Sequence, residues 1–163
     1  MIVPFEDLPQ LREEIEEPIA LRMGCYDLLH EGHVASLERA KRTVGEEGGK
    51  LFVGLWSDER ARERKGPTRP IRDIAARLAL IDAMRLVDYS FIMPDKAENG
   101  DLPSLIVAQS LRPDVFVVAS SHQNDERIRM LGSRVVYDTT PPLNSTSKII
   151  ETILDVHGAV APK

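Results

Sequence analysis

Two rhythms of apolar residues run along the chain. Short, largely apolar runs at 18–23, 51–55, 87–93, 115–119 and 134–137 have the length and residue types of strands. Between them, apolar positions recur every three or four residues, the period of a helix with one buried face. Val34, Leu37 and Ala40 mark one such helix, and Ile74, Leu78, Ile81 and Met84 a stronger one. Asp101 followed by Pro103 reads as a cap and first turn, and Pro113 stops the helix they open. A short helix over 126–131 ends at Gly132, and 145–154 reads as a closing helix with Ile149, Ile150, Ile153 and Leu154 toward the core. Phe5, Leu8, Leu11 and Ile15 place a peripheral helix within the first 17 residues. The run at 115–119 is apolar at every position, as in a parallel strand covered on both sides. Strands alternating with helices predict an α/β domain over 1–163: a single doubly wound, Rossmann-like sheet of five parallel strands with helices on both faces.

Composition narrows the partners rather than the fold. A chain of 163 residues can bury a core without disulfides or structural metal, and its one cysteine, Cys25, fits a reducing, cytoplasmic setting. The net charge of −5 and pI near 5.4 argue against a nucleic-acid partner, while leaving room for small anions at a local cluster of cations. No apolar run has the length of a membrane span, so no membrane partner is expected.

In a doubly wound sheet, ligands sit beyond the carboxyl ends of the strands where the strand order reverses. That rule singles out 24–33, 56–58, 120–124 and 138–147. The first carries His30, Gly32 and His33 where a strand gives way to a helix, so that two imidazoles meet the unpaired N–H groups and positive dipole end of a helix start. The last carries Asn144, Ser145, Thr146 and Ser147 at another helix start, where capping and phosphate binding use the same geometry. Taken alone, each stretch also reads as ordinary loop and cap chemistry.

Five segments in order, GCYDLLHEGH at 24–33, VGLWSD at 53–58, KGPTRPI at 65–71, LRPDV at 111–115 and STSKII at 145–150, resemble the cytidylyltransferase-like nucleotidyltransferases. The likeness is greatest to the heptose-1-phosphate adenylyltransferase and glycerol-3-phosphate cytidylyltransferase branches, and it runs from the first strand to the last helix. The resemblance implies that the phosphate of a small phosphorylated acceptor, such as a sugar or polyol phosphate, attacks the α-phosphorus of a nucleoside triphosphate and releases pyrophosphate. It implies catalytic roles for His30, His33 and Lys65. Gly24, Cys25, Tyr26, Gly32, Ser145, Thr146 and Ser147 would line the nucleotide site, and Asp27, Arg69, Arg77 and His122 the acceptor site. Magnesium would arrive mainly on the triphosphate, with no protein metal ligands, because it favours phosphate oxygens and water. A homodimer is also implied.

Several of these residues carry a second reading. Lys65 is equally a solvated lysine in a charged stretch, Arg77 a helix arginine in a surface ion pair, Asp27 a turn-stabilising carboxylate and Trp56 a core residue at a strand end. Two departures from the family pattern bear on substrate. Asn144 stands where heptose-type relatives carry an arginine, and residues 119–124 replace their Lys-Gly-Gly-Asp-like segment. The KGPTRPI segment and Val87-Asp88-Tyr89 most resemble the heptose-type branch, which implies ATP before CTP. The departures keep open a second function, a nucleotide-binding regulatory module of the same fold with little or no turnover.

Overall fold

The computed structural model describes residues 1–45, 48–95, 102–119, 125–141 and 144–157. Five strands, β1 (Ile19–Gly24), β2 (Lys50–Leu55), β3 (Tyr89–Ile92), β4 (Val115–Val118) and β5 (Arg134–Tyr137), form one parallel sheet in the order β3-β2-β1-β4-β5. The chain winds outward from β1 to β3, then returns to the other side of β1 with β4. The reversal between β1 and β4 opens the crevice that a doubly wound sheet offers to a ligand.

Strand periodicity divides the core in two. Ile19, Leu21, Phe52, Phe116 and Val118 point to one face, and Ala20, Leu51, Val53, Val115 and Val117 to the other. Residues of α2 (Glu31–Gly45) and α4 (Ile74–Asp82) complete the second cluster, which holds Leu37, Ala40, Val44, Leu78 and Ile81. The first cluster is completed by α1 (Leu8–Glu14), α5 (Pro103–Leu111) and α6 (Asp125–Met130), through Leu8, Leu105, Leu111 and Ile128.

The expected architecture is therefore present, with local corrections. The N-terminal helix is shorter than 5–17 and is not peripheral: a 3-10 turn at Phe5–Asp7 leads into α1, and Leu8 is completely buried in the first cluster. Ile2 adds an isolated parallel bridge to Ser90 at the sheet edge. The charged stretch after β2 coils into α3 (Asp58–Lys65), because the Ser57 hydroxyl accepts from Arg60 N–H as an N-cap and Gly66 ends it at φ +100°. Leu102, with no side-chain cap bond, occupies the N-cap position of α5, and Asp101 lies outside the described residues. The closing helix, α7 (Thr146–His157), departs furthest: Ile153 and Leu154 are 51% and 61% exposed instead of facing the core. Its first turn is tied to the loop after β1, and the described elements leave its later turns open.

Candidate active site

The loop after β1 turns sharply to meet α2. Tyr26 and Leu28 both take positive φ values, 53° and 44°, which carry the chain across the end of the sheet. The His30 carbonyl accepts from the N–H groups of His33 and Val34, which starts α2. Gly32 N–H donates to His30 Nδ1 over 3.1 Å, so Nδ1 is the acceptor and Nε2 remains the donor end of that imidazole. The two histidine rings stack at 3.8 Å, and the Tyr26 ring lies tilted 5.4 Å from His33. A β-carbon on Gly32 would come within 2.9 Å of the His30 ring and 3.1 Å of the Asn144 carbonyl. Glycine is required there by the protein's own packing, besides any room it leaves for a phosphate.

These rings line an open cleft of about 530 Å³ at the β1/β4 reversal. Gly24, Cys25, Tyr26, His30, Gly32, His33, Lys65, Ser145 and Thr146 line it together, so most of the residues named from the sequence share one wall-to-wall site. Trp56 and Asn144 line it too. Lys65 is the last residue of α3 rather than part of a loop, exposed, and forms no ion pair among the described residues. Burial lowers the His33 pKa to about 4, helped by the positive charge of His30 and Lys65. Burial also lowers that of His30. Both imidazoles are thus neutral near pH 7 in the free protein, and His33 Nδ1 is buried without a hydrogen-bond partner among the described residues. Burial likewise raises the Cys25 thiol, which keeps it protonated and inert.

Three residues expected at the acceptor phosphate serve the scaffold instead. Asp27, 1% exposed, accepts from Arg69 Nε at 2.7 Å and from the N–H groups of Ile71 and Arg72 at about 3.0 Å. Burial alone would raise its pKa, but the two backbone donors and the Arg69 guanidinium hold it below the usual carboxylate value. Arg77 has no exposed surface: its guanidinium donates to the carbonyls of Arg72, Cys25 and Trp56 and to the Asp58 carboxylate at 2.6 Å. Asp27, Arg69 and Arg77 therefore fasten the 66–73 loop and α4 to the loop after β1, and their charges are engaged inside the protein. The turn-stabilising reading of Asp27 is the one realised, whereas Arg77 sits in a buried network, not a surface pair.

At the other helix start, Ser145 Oγ accepts from Lys148 N–H, Asn144 Oδ1 accepts from Ser145 N–H, and Asn144 Nδ2 donates to Glu31. Thr146, 5% exposed, donates its hydroxyl to the Asp27 carbonyl. Capping thus engages Ser145 Oγ as an acceptor, the Thr146 hydroxyl ties α7 to the loop after β1, and Ser147 is exposed outside the cleft lining. His122 lies outside the described residues, as does the rest of 120–124.

Sequence reading missed one wall. Arg22, Ser36, Arg39 and Asp138 line the cleft beside the histidines. Arg39 grips the Asp138 carboxylate with two bonds of 2.8 and 2.9 Å, and Ser36 donates to the same carboxylate. The signal lay in Arg22, a charge within an apolar central strand, where burial without a purpose is costly. Among the described residues no cluster of three His, Cys, Asp or Glu side chains could hold a metal; the Asp138 carboxylate that lines the cleft faces Arg39, and the buried Asp27 faces Arg69.

A doubly wound sheet whose reversal point carries paired imidazoles, a lysine and two helix N-termini is an α/β domain with the chemistry suited to phosphate groups at its ligand end. The chain belongs to the cytidylyltransferase-like family, whose model matches residues 21–151, which places it among nucleotidyltransferases. It is 34% identical over 160 residues to the bifunctional protein HldE of Helicobacter pylori (strain HPAG1), and 32% identical over 155 residues to HldE of Actinobacillus succinogenes. Those alignments cover 96% and 90% of this chain but only 32% and 30% of the relatives. The chain thus spans about a third of the length of the curated relatives it matches. Among solved structures, a lipopolysaccharide core biosynthesis protein from Thermoplasma volcanium superposes with a TM-score of 0.59 at 25% identity, covering 78% of this chain and 98% of that one. A pantothenate synthetase from Thermus thermophilus shares the fold at 15% identity and a TM-score of 0.52, covering 83% and 60%.

Proposed function

We propose that the chain joins a nucleoside triphosphate, ATP before CTP, to the phosphate of a small sugar or polyol, releasing pyrophosphate. The stacked His30–His33 pair at the start of α2, in one cleft with Lys65, carries the reading. An acceptor phosphate oxygen bonds to the α-phosphorus, the bond to the bridging oxygen breaks, and its electron pair leaves on pyrophosphate. The acceptor is already anionic, so no general base is required, and positioning and charge stabilisation dominate.

The neutral imidazoles serve as N–H donors toward the phosphates. An anion beside them raises their pKa, so they become more cationic as charge gathers on the phosphorus and leaving group. Lys65 neutralises phosphate in the same cleft. Magnesium enters with the triphosphate, held by phosphate oxygens and water, which it favours, and the described residues form no carboxylate cage. The 34% identity to HldE, together with the KGPTRPI segment, supports an adenylyl donor and a sugar phosphate acceptor. Homodimerisation and a cytoplasmic setting complete the proposal, the first readable by sedimentation. No helix among the described residues is long and apolar enough to cross a membrane.

Incubation with magnesium, each nucleoside triphosphate and a panel of sugar and polyol phosphates, following pyrophosphate, tests the reading. Release is expected with ATP and a sugar phosphate. Tight nucleotide binding without release for any pair would make the chain a regulatory module instead.

A further inference from the structure

Nucleotidyl transfer between two phosphates brings two highly anionic groups into one cleft. The arginines expected to meet them are not available, because Arg69 is paired with Asp27 and Arg77 is wholly buried in internal bonds. The histidines are neutral in the free protein. Lys65 therefore stands as the cation on one side of the histidine pair. Arg22 and Arg39 line the same cleft and are bonded toward β4 and the end of β5, whereas Lys65 follows β2 on the opposite side of β1 in the strand order.

Their geometry is prepared in advance. Arg22 leaves β1 beneath α2, donating Nε to Ser36 Oγ at 3.1 Å and Nη1 to the Val117 carbonyl at 3.1 Å. Its Nη2 has only a 4.0 Å approach to Asp138 among the described residues. Arg39, two turns into α2, is held by Asp138 through Nε and Nη2. Asp138 is fully occupied: Arg39, Ser36 and the Thr140 N–H all donate to it. It cancels one positive charge of the pair, so the group keeps a net charge of +1 and unused guanidinium donors beside the cleft. A planar guanidinium held at two of its nitrogens loses little freedom when a phosphate binds the third. Arg22 is also near enough to His33 to lower that residue's pKa, which puts the guanidinium within electrostatic reach of the reacting phosphates.

We infer that Arg22 and Arg39, held by Ser36 and Asp138, form a second phosphate-binding pole across the histidine pair from Lys65. The ligand chemistry is phosphoryl oxygen, supplied by the triphosphate or by the acceptor. The inference rests on the cleft binding the substrates of the proposed reaction, yet its test needs no turnover.

Equilibrium titration of the whole chain with MgATP, and separately with inorganic phosphate, reads the pole directly. Arg22→Met should weaken one of the two ligands tenfold or more, Arg22→Lys should recover part of the loss, and the thermal midpoint should stay close to that of the unaltered protein. Loss confined to MgATP assigns the pole to the triphosphate, and loss confined to phosphate assigns it to the acceptor. Should Arg22→Met fail to fold, Arg39→Met, at a more exposed side chain, gives the same readout. Unchanged affinity for both ligands in the folded variant would make the cluster a structural strut and overturn the inference. An unaltered protein that binds MgATP but releases no pyrophosphate with any acceptor would sink the proposed reaction and leave this pole standing.

Discussion

The polar side chains around the cleft include a group bonded inside the protein and a group with an atom left unpartnered among the described residues. His33 belongs to the second group, so His33→Ala should lower kcat by about 10²- to 10³-fold, the range for loss of one charge-stabilising donor, with little change in thermal midpoint. Steady-state pyrophosphate release alongside calorimetry checks both halves. The same residue sets a pH dependence of folding. Its pKa is about 4 when folded against an ordinary value of 6.5, so as pH falls below 6.5 the unfolded chain takes up a proton that the folded chain refuses. Stability from this site is fully present above 6.5, declines toward pH 4 and levels off below it. The total is at most about 3 kcal/mol, reduced by partial solvent screening. Denaturant midpoints measured across that range should flatten in His33→Gln, and an unchanged slope would remove His33 as the cause. Arg77 belongs to the first group. Arg77→Met leaves the Asp58 carboxylate and several carbonyls without their donor and should cost about 3–5 kcal/mol by denaturant unfolding.

At the scale of elements, the site depends on two helix starts meeting across one loop. Gly32 in α2 and the Asn144 carbonyl ahead of α7 approach so closely that a methyl group would strike both the carbonyl and the His30 ring. Gly32→Ala should keep the fold, shift His30 and reduce turnover by at least tenfold, a loss visible in kcat. A variant with normal turnover would show that the His30 position is not critical. Element legibility varied for identifiable reasons. β4 and α4 were readable because a short fully apolar run after Pro113 has strand length and a three-four spacing has the helical period, although α4 ends at Asp82, before Met84. α3 was not, since Asp58–Lys65 holds one buried apolar residue, Ala61, and its order comes from the Ser57 cap and charge pairs such as Arg60–Glu63. α7 misled in the opposite direction: its isoleucines have helical spacing, but spacing states only that a face is apolar, not that something covers it.

For the whole molecule, the order β3-β2-β1-β4-β5 places the loops after β1 and β5 and the starts of α2 and α7 around one opening. The histidines, Lys65 and the Ser145–Thr146 turn were legible because each lies in a short contiguous motif, between the first strand and α2, at the end of α3 and at the start of α7. The Arg22–Ser36–Arg39–Asp138 wall was not, because it joins residues up to 116 positions apart through the sheet, and no local pattern links them. The internal partners of Arg69 and Arg77 were hidden for the same reason: a sequence reports a positive charge but not the carboxylate or carbonyl it already serves. The central claim, that this cleft transfers a nucleotidyl group onto a phosphate, is tested most directly by pyrophosphate release with magnesium, ATP and a panel of sugar phosphates, comparing the unaltered chain with His33→Ala. The account predicts release that requires both substrates and falls at least a hundredfold in the variant. Release by neither protein, or equal release by both, would contradict it.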